Sequence, residues 1–222
     1  MASSNSNASS SDTTDESTVQ LIIEIAYNYQ AQICGDYVRD KFAGIETTAI
    51  ELRFPFGWCP DKFLSDIKQL WIVEQVVSEH QNYHRYKVYN SGKSIVIDVR
   101  IFSMAERFFM ESSYKVMPAF SFIDVNRLIM TMEKGQEVVK TDVYGGNSER
   151  IVKRCREKKF VVLNAEDKPA LIHSCSRVCI PKTAPVAEAL ILEISTMQCL
   201  GWVCENYACK NPDCIFYDIE KI

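Results

Sequence analysis

The fold of this chain is decided by the stretch Cys34-Gly35-Asp36-Tyr37-Val38-Arg39-Asp40-Lys41-Phe42-Ala43-Gly44, which continues as Ile45-Glu46-Thr47-Thr48-Ala49-Ile50-Glu51-Leu52. One glycine precedes Val-Arg-Asp. A second glycine follows a short helical pattern, and after it acidic and apolar residues alternate. A glycine at a strand-to-helix turn lets backbone N–H groups approach phosphate oxygens, and the helix N-terminus adds a favourable dipole. The stretch therefore predicts the entry to a phosphate-handling site.

Regular elements are predicted on both sides of this stretch. They are a strand over residues 31–34, a short helix over 37–43 and a strand over 48–54. Gly44 is placed as the C′ residue of the short helix. An earlier helix is predicted to begin at Thr18, a good N-cap. Residues 1–17 are rich in Ser and nearly free of apolar side chains, so we expect a disordered tail there.

The middle of the chain alternates between helical and strand patterns. The predicted elements are a helix over residues 61–80, strands over 83–89 and 94–102, a strand over 119–122 and a helix over 124–132. Pro60 suits the first position of the long helix. Asn90-Ser91-Gly92-Lys93 suits the turn of a hairpin.

The last third of the chain is predicted to be mainly helical. We expect a loop over residues 135–148, a basic helix over 149–159, a strand over 160–163 and an apolar helix over 185–200. Gly201 ends the last helix, and its apolar surface on most sides predicts burial. Residues 202–222 fit short strands or turns.

The composition is that of an ordinary globular protein. The 222 residues, of which 47% are apolar, allow one large domain or two small ones. A net charge of −4 argues against nucleic-acid binding through bulk electrostatics but leaves room for a local basic patch. Nine cysteines without a secretory signal predict free thiols or a metal site, so we expect an intracellular protein, cytoplasmic or in a virion. No apolar run is long enough for a membrane span.

Several motifs resemble those of the nucleotidyltransferase family that contains CCA-adding enzymes and the heads of bacterial poly(A) polymerases. Gly35, Val38, Arg39, Asp40 and Gly44 stand at the spacing of its entry motif. That motif continues in the family with a second glycine beside the first, which is Asp36 here. Its Asp-x-Asp pair falls on Ala49 and Glu51.

Two later segments resemble the same family in the same order. Asp98, in Ile97-Asp98-Val99-Arg100, resembles the third carboxylate of the family, and residues 122–128 resemble its Asp-Phe-Thr-x-Asn-Ala-Leu segment, with Asn126 at the Asn. A helix that closes on Gly201-Trp202 also resembles the nucleotidyltransferase-like proteins of giant DNA viruses.

The resemblance implies a fold and a site. The fold is an α/β (α+β) nucleotidyltransferase-like mixed sheet with flanking helices over residues 18–132, with a helical, Cys-rich extension over 133–222 packed on it. In this family two Mg²⁺ ions are held by carboxylates on adjacent strands, which leaves Glu51 and Asp98 as catalytic metal ligands because Ala49 cannot ligate. The nucleotide-binding residues that it implies are Gly35, Asp36, Arg39, Asp40 and Asn126.

Each of these sites has a structural alternative. Arg39 and Asp40 are also consistent with an ion pair inside the fold, and Glu51 and Asp98 with a solvated sheet face. The evenly spaced Cys199, Cys204, Cys209 and Cys214 suit tetrahedral Zn²⁺ or buried free thiols. The basic run Arg150, Lys153, Arg154, Arg156, Lys158 and Lys159 suits a nucleic-acid backbone or a solvated helix face.

Three functions follow from these patterns. The first is a nucleotidyltransferase-like protein that is catalytically degenerate and acts in binding or assembly, because Ala49 replaces an acid. The second is an active metal-dependent nucleotidyltransferase that adds nucleotides to RNA or another hydroxyl acceptor. The third is a structural protein with virion or other protein partners. The ligands expected for the first two are nucleoside triphosphates and RNA, with no membrane partner.

Overall fold

A mixed seven-stranded sheet with flanking helices organises the described part of the chain. The computed structural model describes residues 13–47, 49–54, 60–76, 83–90, 93–101, 121–141, 143, 146–163, 187–205 and 213. The helices are α1 (Thr13–Asn28), α2 (Asp36–Ala43), α3 (Pro60–Leu70), α4 (Ser148–Arg156) and α5 (Ala187–Cys199), with a 3-10 helix over Asp124–Arg127. The strands are β1 (Gln32–Cys34), β2 (Ala49–Phe54), β3 (Ile72–Val76), β4 (Tyr83–Asn90), β5 (Lys93–Ile101), β6 (Leu128–Glu133), β7 (Gln136–Thr141), β8 (Lys159–Phe160) and β9 (Val203–Cys204). The predicted mixed α+β class is confirmed.

The strand order brings the sequence motifs together. The sheet runs β3-β4-β5-β2-β1-β6-β7, and β8 and β9 form a separate parallel pair. Within the large sheet, β2 and β5 are parallel and the other described pairs are antiparallel. Their register aligns Ile50 with Ile97 and Glu51 with Asp98. Because side chains alternate along a strand, one face of this pair is apolar and the other is polar.

The hydrophobic core lies on the apolar face. Ile50, Leu52 and Phe54 of β2 are buried there. Phe63 of α3 contacts Phe54, with 5.3 Å between the ring centroids, and its helix also contacts α1. A fully buried side chain of this size contributes roughly 1.5–3 kcal/mol. The polar face of β2 and β5 is therefore held in place by the packing on the opposite face.

The predicted helix over residues 61–80 is wrong in its second half. α3 ends at Leu70, and β3 begins at Ile72. The β-branched residues Ile72, Val73 and Val76 suit a strand, and β3 pairs along its length with β4. Pairing with a neighbouring strand outweighed the helical spacing of the apolar residues.

The predictions for residues 124–148 also need correction. The expected helix over 124–132 is a single 3-10 turn followed by β6, and the expected loop over 135–148 contains β7. Lys134 and Gly135 both have positive φ, 51° and 80°, which is the turn geometry that joins two antiparallel strands. The hydrogen bonds between the two strands of the hairpin satisfy the backbone N–H and C=O groups, as hydrogen bonds within a helix would have done.

The two ends of the chain depart from expectation in smaller ways. α1 begins at Thr13, so the predicted tail over residues 1–17 overlaps it; residues 1–12 lie outside the described part. The expectation that α5 is buried on most sides is wrong, because Leu192 is 69% exposed and Leu200 is exposed as well. In the described ranges, every helix is too short or too polar to span a bilayer.

A buried ion pair joins the 3-10 helix to α4. Arg154 donates from Nε and from a terminal nitrogen to Oδ2 of Asp124, with Nε at 2.8 Å, and the backbone N–H of Val161 donates to Oδ1 at 2.7 Å. The Asp124 side chain is only 2% exposed. Asp124 therefore joins the 3-10 helix to residues that lie 30 and 37 positions further along the chain.

Replacement of Asp124 by Ala should destabilise the protein by about 3–5 kcal/mol, because it leaves a buried guanidinium without its partner. Urea unfolding measures this free energy. The matched control is Glu133→Ala, which removes the exposed pair with Lys140 and should cost about 0–1 kcal/mol. Equal losses for the two variants would contradict a structural role of the buried pair.

Candidate functional site

The turn from β1 into α2 is built on Gly35. This residue has φ 68° and ψ −143°, a backbone conformation that is essentially restricted to glycine. Its carbonyl oxygen accepts hydrogen bonds from the N–H groups of Val38 (3.1 Å) and Arg39 (3.3 Å), which start the helix. The helix ends at Gly44 in the left-handed conformation, as the sequence predicts.

Glu51 and Asp98 lie side by side next to this turn. They are register partners on the parallel strands β2 and β5 and project from the same face. Glu51 is also the partner of Cys34 at the end of β1. A Cβ atom placed on Gly35 would lie 2.9 Å from Oε2 of Glu51, so the carboxylate packs against the turn. The structure therefore brings together the two predicted metal ligands and the predicted phosphate-handling turn.

Both carboxylates are bound to arginines. Arg53 donates from Nε to Oε1 of Glu51 at 2.9 Å. Arg85 on β4 makes a two-pronged contact with Asp98, with 2.7 Å from Nε to Oδ1 and 3.0 Å from a terminal nitrogen to Oδ2. The Arg53 side chain is 9% exposed and that of Arg85 is 49% exposed. The two guanidiniums balance the charge of the two carboxylates.

Sequence reasoning missed both arginines, although signals for them existed. Arg53 follows Glu51 by two residues, which puts both on the same face of a predicted strand. Counting outward from the hairpin turn at Asn90 and Lys93 pairs Arg85 with Asp98, as observed. The register of a hairpin follows from its turn, so this contact was accessible from the sequence.

Ala49 occupies the position where the resemblance requires an acid. It is exposed, pairs with Val96 and shares the face that carries Glu51. The described residues contain no group of three or more His, Cys, Asp or Glu side chains that could hold a metal ion. Ala49 supplies no ligand, which leaves Glu51 and Asp98 as the acids of the resembled pattern on this face. Within the described ranges, this pair does not complete the three-acid pattern of a two-metal site.

Arg39 lies buried behind the turn. It makes two contacts with Asp40, 2.6 Å from Nε and 3.0 Å from a terminal nitrogen. Its other terminal nitrogen donates to Asp36 at 2.9 Å and to Asn126 at 2.8 Å. The guanidinium carbon lies 5.5 Å from the ring centroid of Trp202. Arg39, Asp40 and Asn126, which were predicted to bind a nucleotide, are thus brought together in an internal network.

Glu193 of α5 extends this network, and it was not predicted. It accepts hydrogen bonds from the side chain of Asn126 (2.9 Å), the backbone of Phe122 (3.2 Å) and the hydroxyl of Ser121. A carboxylate within the apolar run Leu190-Ile191-Leu192-Glu193-Ile194 was the signal for it, since buried charges need partners. Burial raises the pKa of Glu193, and its three hydrogen bonds oppose that rise.

The remaining predicted sites are described only in part. Cys204 is buried and Cys199 is exposed, and both are free thiols. Cys209 and Cys214 lie outside the described residues, so the zinc site stays a prediction. Within the basic run, Arg154 turns inward to Asp124, whereas Arg150, Lys153, Arg156 and Lys158 are exposed.

Gly35→Ala should destabilise the protein by about 1–3 kcal/mol, because the new Cβ would force a strained backbone conformation and would press on Glu51. Gly44→Ala is the matched control: it also has positive φ, but its Cβ would meet open space, and its cost should be about 1 kcal/mol. Urea unfolding compares them. A smaller loss for Gly35→Ala than for Gly44→Ala would argue against the close packing of Glu51 on the turn.

Glu193→Gln should flatten the dependence of stability on pH. The folded-state pKa of Glu193 is raised above 4.5, so the folded protein binds this proton more readily than the unfolded chain. The resulting stabilisation is full below the unfolded pKa and is lost as pH rises through the folded pKa. Unfolding free energies measured between about pH 4 and 7 should fall more steeply for the wild type than for Glu193→Gln.

The exposed Glu149→Gln controls for the loss of one negative charge. Parallel pH profiles for the wild type and Glu193→Gln would show that this carboxylate is not held in the proposed buried environment.

Comparisons with known proteins identify the fold. No protein-family model matches the chain, and no curated protein sequence matches it. The structure is similar to the Thermotoga maritima CCA-adding enzyme complexed with tRNA, at 15% identity and a TM-score of 0.50, over 86% of this chain and 40% of that chain. A CCA-adding enzyme solved with CTP aligns at 17% identity and a TM-score of 0.47, over 69% of this chain and 35% of that chain.

The chain thus spans less than half the length of these CCA-adding enzymes. At this level of identity the likeness concerns the fold alone. The mixed sheet and its flanking helices have a nucleotidyltransferase-like fold, as the sequence motifs predicted.

Proposed function

We propose that this protein is a catalytically degenerate member of the nucleotidyltransferase-like fold, which acts through binding or assembly. One observation carries the proposal. Glu51 and Asp98, the two carboxylates in the position of metal ligands, are already bound to Arg53 and Arg85, and Ala49 occupies the first position of the Asp-x-Asp pair.

The two arginines differ in how firmly they block a metal ion. Coordination through Glu51 would compete with Arg53, which donates to Oε1 and whose side chain is 9% exposed. Any movement of Arg53 away from Glu51 would disrupt a mostly buried ion pair, which costs free energy. Arg85 is half exposed and can turn toward solvent, so Asp98 is easier to free. The ion pair at Glu51 therefore supports the proposal that this site does not hold a pair of metal ions.

The electrostatics around the turn also disfavour a triphosphate. Carboxylates outnumber guanidiniums in the candidate site and in the network of Arg39. The carboxylates are Asp36, Asp40, Glu51, Asp98 and Glu193, and the guanidiniums are Arg39, Arg53 and Arg85. Each guanidinium already contacts at least one of these acids. Without metal ions to offset the charge, the phosphates of a nucleotide would meet net repulsion.

An active enzyme is the second candidate, and the same geometry favours it in one respect. Glu51 and Asp98 share a face beside Gly35, as metal ligands for nucleotidyl transfer must. In this candidate Arg85 swings away, the two acids hold one Mg²⁺, and Gly35, Arg39 and Asn126 surround the nucleotide. A nucleoside triphosphate and RNA are its expected ligands.

Assembly is the other form that the degenerate function can take. The fold then serves as a scaffold for protein partners, in a virion or in another intracellular complex, and cytoplasm or virion is its proposed location. Stoichiometric abundance in purified particles would support this form, whereas its absence from them would restrict the proposal to binding.

Purified protein should transfer no labelled nucleotide to RNA in the presence of Mg²⁺ or Mn²⁺, because the site lacks the ligands for two ions. All four nucleoside triphosphates are offered, and incorporation is read by gel electrophoresis. The control is the double variant Glu51→Gln with Asp98→Asn. Incorporation by the wild type that this variant abolishes would establish the active enzyme instead.

Calorimetry with each nucleoside triphosphate separates a binding function from a scaffold. Heat without transfer would support a nucleotide-binding pseudoenzyme. Absence of heat with every nucleotide would contradict both nucleotide binding and catalysis, and assembly would remain as the proposed function.

A further inference from the structure

The exposed side of α4 is a predominantly basic surface. Its exposed cations are Arg150, Lys153 and Arg156 in the helix and Lys158 just beyond it. These four residues form the basic face. The opposite side of the helix is buried through Ile151, Arg154 and Cys155. Every exposed residue from 149 to 158 is charged, and only Glu149 and Glu157 among them are acidic.

Most of these cations lack an internal partner. Lys153 lies 3.8 Å from Glu157, and that same carboxylate lies 3.1 Å from Lys159. The side chains of Arg150, Arg156 and Lys158 have no hydrogen-bond or ion-pair partner among the described residues. Exposed pairs contribute little to stability, so the basic face is not explained by folding.

The basic face stands on a rigid element. Arg154, on the inner side of the same helix, is held by the buried Asp124. α4 also contacts α2 and the 3-10 helix. Its N-terminus is capped by the side chain of Asn147, which accepts a hydrogen bond from the N–H of Arg150 at 2.9 Å. The cations are therefore presented in a preorganised array.

The chemistry of the surface selects the class of partner. A membrane-binding helix needs apolar side chains to insert among the lipids, and the exposed side of α4 has none. A protein interface needs buried apolar or aromatic anchors, which are also missing from this side. A nucleic-acid backbone is bound by cations alone. The three cations without an internal partner in the described ranges, Arg150, Arg156 and Lys158, can each contact one phosphate.

We propose that the basic face binds the phosphate backbone of a nucleic acid, without reading base or sugar. The proposal does not rest on the function proposed above, since it concerns a different surface and requires neither a nucleotide nor a metal ion. It places a nucleic-acid contact on an otherwise acidic chain, where bulk charge does not favour one.

The test is fluorescence anisotropy with the full chain and labelled oligouridylate or oligodeoxythymidylate of equal length, with a chelator and no nucleotide. The wild type should bind both equally. Its affinity should fall with a slope of about −2 in log K against log salt between about 50 and 200 mM, as three contacts to a single strand predict. Arg150→Glu with Arg156→Glu should weaken binding about tenfold or more and should flatten that slope.

The matched control is Lys62→Glu with Lys68→Glu on α3. These exposed lysines also lie in the first and last turns of their helix, and the two double variants change the net charge equally. The control should bind nearly as the wild type does, because charges beyond about 8 Å are screened at physiological salt. Circular dichroism and thermal unfolding verify folding, and Arg150→Gln with Arg156→Gln repeats the test with a milder change.

Several outcomes would overturn the proposal. Equal loss in the two Glu double variants would mean that only net charge matters. Absence of binding at low salt would show that the basic face does not bind nucleic acid. Binding of the RNA alone would mean that more than phosphate is read. Competition by polyglutamate as strong as that by unlabelled RNA would reassign the surface to acidic proteins.

Discussion

The buried guanidinium of Arg39 is the constraint around which the described structure is arranged. An unpaired charge in this position would cost several kcal/mol, so the fold must surround it with acceptors. Asp40 and Asp36 supply them from α2, Asn126 supplies one from the 3-10 helix, and Trp202 covers it beyond α5. One side chain therefore fixes the relative positions of segments that are far apart in the sequence.

This constraint separates two parts of the motif that resembles nucleotidyltransferases. Arg39 and Asp40 are required by folding, because each is buried and each neutralises the other. Position 49 is exposed and contributes nothing to the core, so an alanine there leaves the fold intact. The residues that the fold needs are present, and an acid that only metal chemistry needs is absent. A nucleotidyltransferase-like fold without a complete metal site is therefore physically consistent.

Local patterns predicted part of the fold well and part of it badly. The strand, glycine turn, short helix and glycine cap around Arg39 were predictable because each depends on neighbours within a few residues. Residues 72–76 and 128–132 were misassigned to helices because their apolar spacing suits both structures, and pairing with neighbouring strands selects the strand. The paired arginines of the candidate site follow from strand register, which could have been counted from the hairpin turn.

The sequence by itself determined the Gly35 turn, α2 with its glycine cap, and the presence of Glu51 and Asp98 on strands, because these depend on residue type and local spacing. Only the tertiary structure decided that Glu51 and Asp98 are neighbours, that Arg53 and Arg85 neutralise them, and that Glu193 joins the network of Arg39. Contacts of this kind depend on which strands pair and which helices pack together. That choice is made by the burial of the whole apolar face rather than by any one stretch of the chain.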